Sequence, residues 1–145
     1  MSVVRPRRVA FLFALAFCLV AIGGCSGGGS SNTVSGTVTL DGTPLKSGAV
    51  NFYPDSSKGN KDGQIYVGAI NEQGQYSLAG GGKEGAPAGW YKVTVNSSVP
   101  SNPKDPYSIP RSVVNFKYRD ISVTDLGIEV KKGAAPGSYD LKVTR

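Results

Sequence analysis

The side chains able to perform chemistry are few in this 145-residue chain, and their types already exclude several kinds of site. Histidine, the commonest general base and metal ligand, does not occur. The only thiols are those of Cys18 and Cys25, and ten Asp and Glu side chains are spread along the sequence. Zinc and iron sites draw on imidazole and thiolate ligands, so the composition argues against both metals.

Serine and carboxylate chemistry also lacks an organised motif. The chain has no G-x-S-x-G sequence, and a Ser–Lys pair involving Ser47, Ser57 or Ser97 is the one nucleophilic arrangement left open. No D-x-[DN]-x-[DN]-G run is present, and the stretch from Asp55 to Asp62 also carries two lysines, which oppose cation binding. We therefore expect no catalytic residue, no metal site and no cofactor, and we assign these side chains to turns.

Cys25 is the exception because of what precedes it. Residues 1–8 contain three arginines, and residues 9–22 are 14 uninterrupted apolar residues. That run is shorter than the roughly 20 residues of a membrane-spanning helix, and the pattern is typical of a secretory signal peptide. Ile22-Gly23-Gly24-Cys25 then resembles the bacterial lipobox. The resemblance implies that residues 1–24 are a cleaved signal peptide and that Cys25 receives a diacylglyceryl group on its sulfur. An ordinary secretory signal is the alternative.

Removal of residues 1–24 would change the properties of the chain. The remaining 121 residues carry 13 basic and 10 acidic side chains, and the basic ones are scattered, so we expect no nucleic-acid partner. Cys25 would be the only cysteine left, which excludes an internal disulfide and leaves stability to the hydrophobic core. Residues 25–32, Cys25 followed by SGGGSSN, form a flexible Gly/Ser tether, and residues 33–145 form the folded domain.

The remainder of the chain alternates apolar and polar residues with period two, between turns rich in its 20 glycines and nine prolines. Seven strands are predicted, at 33–40, 49–53, 65–70, 75–78, 90–96, 126–130 and 139–143. A flexible Gly-rich connection is expected at 80–89, and a long Pro-rich connection, either functional or mobile, at 96–121. This pattern predicts an all-β fold, a β-sandwich by preference and a small barrel as the alternative.

Side-chain alternation also predicts which residues of the fifth strand are buried. Tyr91, Val93 and Val95 share one face and are expected in the core, whereas Lys92 and Thr94 are expected outside it.

Three runs resemble one known family: VSGTVTLDGTPLKSGAVNFYP from Val34 to Pro54, GAINEQGQYSL from Gly68 to Leu78, and APAGWYKVTV from Ala86 to Val95. They are similar to the carboxypeptidase regulatory-like domain, and the similarity extends to about Val143. The resemblance implies a transthyretin-like (prealbumin-like) β-sandwich of about seven strands, but no activity. Hydroxyisourate hydrolases and intradiol dioxygenases, enzymes of similar folds, use histidines that this chain lacks.

Aromatic side chains are the remaining candidates for ligand contact. Trp90, on the outer face of its strand, and Tyr107 and Tyr118, on the Pro-rich segment, could stack on sugar rings or anchor a peptide. Alternatively, Trp90 packs beneath the Gly-rich loop.

The sequence as a whole predicts a non-enzymatic lipoprotein of the cell envelope. We expect attachment to a membrane through the lipid on Cys25, with the outer membrane favoured because Ser26 follows the cysteine. The domain would be periplasmic or surface-exposed, with a binding or structural role and an envelope protein or a glycan as partner. A carbohydrate- or peptide-binding module using Trp90 and a cryptic hydrolase are the alternatives.

Overall fold

The computed structural model describes residues 31–105 and 107–145, so the predicted signal peptide, Cys25 and most of the tether lie outside the described residues. The described part is all-β, with fourteen strands and two single-turn 3₁₀ helices, Ser56–Lys58 and Phe116–Tyr118. Within it, no helix has the length and apolar character needed to cross a bilayer.

All seven predicted strands are confirmed. They are β2 (Ser35–Leu40), β4 (Gly48–Pro54), β5 (Tyr66–Ile70), β6 (Gln75–Ser77), β10 (Gly89–Asn96), β13 (Gly127–Val130) and β14 (Leu141–Val143). Seven further strands of two or three residues were not predicted: β1 (Ser31–Asn32), β3 (Thr43–Pro44), β7 (Ala79–Gly80), β8 (Lys83–Glu84), β9 (Ala86–Pro87), β11 (Ser98–Pro100) and β12 (Pro110–Ser112). None of them carries two large apolar side chains in alternation, so the sequence shows no strand pattern there.

The strands form two larger sheets. The first has the order β13-β10-β4-β5-β7-β8 and is antiparallel throughout. In the second, β2 pairs in parallel with β14 and antiparallel with β3 and β6. Two small ribbons, β1-β9 and β11-β12, complete the described strands.

One hydrophobic core is shared by the two larger sheets. Val50, Phe52, Tyr91, Val93 and Val95 of the first sheet are fully buried, and for Tyr91, Val93 and Val95 this confirms the prediction from alternation. The strands of the second sheet and the residues next to them contribute eight more buried side chains. These are Val34, Val38, Leu40, Tyr76, Leu78, Tyr139, Leu141 and Val143. The Phe52 ring lies 6.3 Å from the Tyr76 ring and 5.8 Å from the Tyr91 ring, so aromatic contacts join the sheets at their centre.

Close backbone approach makes Gly36 necessary on β2. A Cβ at this position would lie 2.4 Å from the carbonyl oxygen of Tyr139, the residue that leads into β14. The same carbonyl accepts a 2.6 Å hydrogen bond from the hydroxyl of Tyr76. Asp140 Oδ1 in turn accepts a 2.7 Å hydrogen bond from the amide of Thr37. The absence of a side chain therefore lets this segment pack directly against β2.

Two sequence predictions are corrected by the structure. Thr94 was expected outside the core, but it is 1% exposed. The 3₁₀ helix Phe116–Tyr118 lies against β10, and the Thr94 hydroxyl accepts a hydrogen bond from Asn51 Nδ2, so this part of the outer face is covered. The 80–89 connection was expected to lack regular structure, but it contains β7, β8 and β9, whose backbone groups pair with other strands.

The Pro-rich connection is also ordered. β11 and β12 form an antiparallel hairpin with Val99 opposite Arg111, and residues 101–105 and 107–109 belong to its tip. The chain then enters the 3₁₀ helix Phe116–Tyr118, whose Asn115 cap accepts a hydrogen bond from the Lys117 amide.

Candidate functional site

Trp90 is the first of the predicted contact residues, and a lysine already covers its ring. Trp90 is half-buried at the start of β10, and Lys58 Nζ lies 3.9 Å from the centre of the indole ring. The Trp90 carbonyl accepts hydrogen bonds from the amide of Asp55 and from Asn60 Nδ2, both 2.9 Å long. The loop that follows β4 therefore packs on this residue.

The local structure of that loop explains how Lys58 reaches the ring. The buried Asp55 carboxylate accepts hydrogen bonds from the Ser57 hydroxyl at 2.5 Å and the Ser57 amide at 3.1 Å, which begins the 3₁₀ turn. These bonds, chiefly that of the hydroxyl, hold the pKa of Asp55 below its ordinary value although burial opposes them. Lys58 ends the turn and makes a cation–π contact, so one face of the indole is occupied.

The outer face of the first sheet continues from Trp90 across β4 and β5. Register places Lys92 beside Tyr53 and Asn51 beside Val67 on this face. Tyr53 and Lys92 are half-buried, whereas Val67 is 44% exposed. The side chains named on this surface are both polar and apolar, and besides Trp90 they include one aromatic ring, that of Tyr53.

Tyr107 lies far from this surface along the chain, at the tip of the β11–β12 hairpin. It is 94% exposed, and Ile109, two residues later, is 83% exposed. The Tyr107 amide donates a 3.0 Å hydrogen bond to Asp105 Oδ1, which fixes the backbone that presents the ring.

Tyr118 occupies a third, separate position. It is buried in the hydrophobic core with 5% of its surface exposed, and Lys117 Nζ lies 4.5 Å from its ring centre. Lys117 also forms a 2.8 Å ion pair with Asp125, which lowers the pKa of Asp125 and raises that of Lys117. The structure therefore does not gather Trp90, Tyr107 and Tyr118 into one site.

Clefts in the described part of the chain are open rather than enclosed. One of about 630 Å³ lies between β2, β6 and the loop before β14, and is lined by Thr37, Gln75, Ser77 and Asp140 among others. A second, of about 380 Å³, is lined by Leu45, Val99 and Val113 beside the 2.7 Å ion pair of Arg145 with Asp41. Across residues 31–105 and 107–145, no three acidic or thiol side chains cluster as metal ligands.

Sequence reasoning missed several residues around the hairpin. Ile109, Arg111 and Arg119 were not singled out, although all three are exposed. Their only sequence signal is their place in a Pro-rich connection that is long for so small a domain.

Comparison with protein-family models, curated proteins and solved structures gave no match to this chain.

Proposed function

We propose that the chain is a lipid-anchored protein of the cell envelope, with a non-enzymatic binding domain tethered to a membrane through Cys25. The observation that carries this proposal is the sequence of residues 1–25, with its basic start, short apolar run and lipobox-like end. We further propose that the domain is a transthyretin-like sandwich related to carboxypeptidase regulatory-like domains.

The position of the first strand supports tethering. β1 begins at Ser31, two residues before the expected domain boundary, and pairs with Ala86 and Pro87. Ser31 lies six positions after Cys25, so the chain between them spans at most about 20 Å. This length holds one end of the domain close to the membrane while leaving it free to turn.

The choice of binding over catalysis rests on the side chains available. The chain has no histidine, and four of the described aspartates, Asp55, Asp62, Asp105 and Asp120, each accept a hydrogen bond from the backbone amide two residues later. Among the described residues, no hydrogen bond joins a lysine to a serine hydroxyl, the pair that could form a nucleophile without histidine. A glycan-binding role for Trp90 would require Lys58 to leave the ring or a sugar to use its other face.

The test is mass spectrometry of the protein purified from the membrane fraction of a bacterial host. We expect residues 1–24 to be absent and Cys25 to carry two or more acyl chains, which suffice for stable anchoring. Cys25→Ser should leave an unprocessed precursor. Cys18→Ser, inside the apolar run, is the matched control and should be processed normally. An unmodified Cys25 in a soluble product would disprove the proposal.

A further inference from the structure

Exposed apolar side chains are concentrated in one segment of this protein. Seven large hydrophobic residues are exposed in the described chain, and five of them lie between residues 107 and 123: Tyr107, Ile109, Phe116, Ile121 and Val123. Single exposed hydrophobic residues are normal on a soluble domain, whereas a concentration in one segment is typical of an interaction surface.

The hairpin tip holds its two exposed residues in a defined conformation. Asn102 accepts a hydrogen bond from the Lys104 amide, and its own amide donates to Ser108 Oγ at 3.0 Å. Backbone bonds from Asp105 to Asn102 and from Ser108 to Asp105, each 3.0 Å, close successive turns. A tip ordered in this way loses little conformational entropy on binding, which favours affinity.

The charge of this segment is positive. Arg111 and Arg119 are exposed and take part in none of the ion pairs among the described residues. Asp105 and Asp120, the two acidic residues between positions 98 and 123, each accept a hydrogen bond from a backbone amide two residues later. Arg119 also lies 5.5 Å from the Phe116 ring. Exposed tyrosine and arginine together are the residue types that dominate protein interfaces.

We propose that residues 98–105 and 107–123 are the docking surface for an envelope protein that has an apolar recess bordered by carboxylates. Tyr107 and Ile109 enter the recess, and Arg111 and Arg119 pair with the acidic border. This inference rests on the proposed function for its compartment, but the surface itself is defined by exposure, order and charge.

The position of the hairpin favours a protein over the membrane that holds the tether. The chain enters the domain at β1, next to β9, and β10 starts two residues after β9. β10 then runs eight residues, about 23 Å, before the hairpin begins. The exposed tip therefore lies at the end of the domain opposite the tether. Self-association through this surface would bring Arg111 and Arg119 of two copies together, which like charges oppose.

The experiment uses the full chain in the cells that produce it, with Tyr107 replaced by the photoreactive residue p-benzoylphenylalanine. We expect irradiation to give one adduct with a different protein, identified by mass spectrometry. The same replacement at Ile65, which is exposed immediately before β5, is the matched control and should give none. In the Tyr107-substituted background, Ile109→Ser or Arg111→Glu should reduce the adduct about tenfold or more, whereas Val67→Ser should not.

The identified protein, purified separately, should bind the full chain with a Kd that Arg111→Glu weakens about tenfold or more. No adduct at position 107, an equal adduct at position 65, or an adduct with lipid or with a second copy would each overturn the proposal. If Cys25 proves unmodified but the adduct still forms, the lipid anchor is wrong and the docking surface is supported.

Discussion

Gly36→Ala tests the closest packing in the domain. The added Cβ would lie 2.4 Å from the Tyr139 oxygen and 2.7 Å from its carbonyl carbon, so β2 and this segment must separate by about 1 Å to reach ordinary contact. Gly36 has no positive φ, and the cost is therefore one of space alone. Overpacking costs about 1–3 kcal/mol, and weakening the Thr37–Asp140 and Tyr76–Tyr139 hydrogen bonds adds about 1 kcal/mol each.

A smaller effect opposes this cost, because alanine restricts the unfolded chain and stabilises by about 0.4–1 kcal/mol. We therefore expect Gly36→Ala to lower the free energy of unfolding by about 2–4 kcal/mol, measured by urea denaturation with an unchanged m-value. Gly63→Ala is the control, because a Cβ there meets nothing within 4 Å and φ is not positive. Equal urea midpoints for the two variants would refute the packing of β2 against Tyr139.

Three further predictions follow from burial, ionisation and metal content. Val93→Ala should destabilise the domain by about 1–3 kcal/mol, and Thr94→Ala should destabilise it by about 1–2 kcal/mol because Asn51 loses its buried acceptor. A urea midpoint of Thr94→Ala equal to that of the wild type would contradict the burial of that face. Burial, with the nearby charge of Asp140, raises the pKa of Tyr76 above its ordinary value. The unfolded state therefore loses this proton at lower pH than the folded state, and stability should fall above about pH 10. Thermal melts of Tyr76→Phe should show a smaller loss of stability at alkaline pH. The protein should unfold at the same temperature with and without a strong chelator, and a drop of several degrees that calcium reverses would reveal an ion site among the turn carboxylates.

Much of the fold was predictable because a half-buried strand alternates apolar and polar residues along consecutive positions. Tyr91, Val93 and Val95 were placed in the core by alternation alone, and all three are fully buried. The other seven strands were not predicted, because none of them carries two large apolar side chains in alternation. Their strand conformation depends on pairing with a neighbouring strand.

The candidate site was less predictable for the same reason. Alternation placed Trp90 on the outer face of β10, but it could not show that Lys58, 32 positions earlier, lies over the ring. Tyr107 and Tyr118 looked alike in the sequence, both being aromatic residues in a Pro-rich segment. One is 94% exposed and the other 5%, because only the second packs against the core.

The sequence by itself determined the strand-forming segments, the inward-facing residues and the absence of imidazole chemistry, because these depend on residue type and on the two-residue repeat of a strand. The tertiary structure decided what covers the outer faces. Thr94 is buried on a strand that contacts the 3₁₀ helix Phe116–Tyr118, and its hydroxyl accepts a hydrogen bond from Asn51, 43 positions away, whereas Ile109 is 83% exposed. Such burial depends on which distant segments meet, and a local repeat carries no information about that.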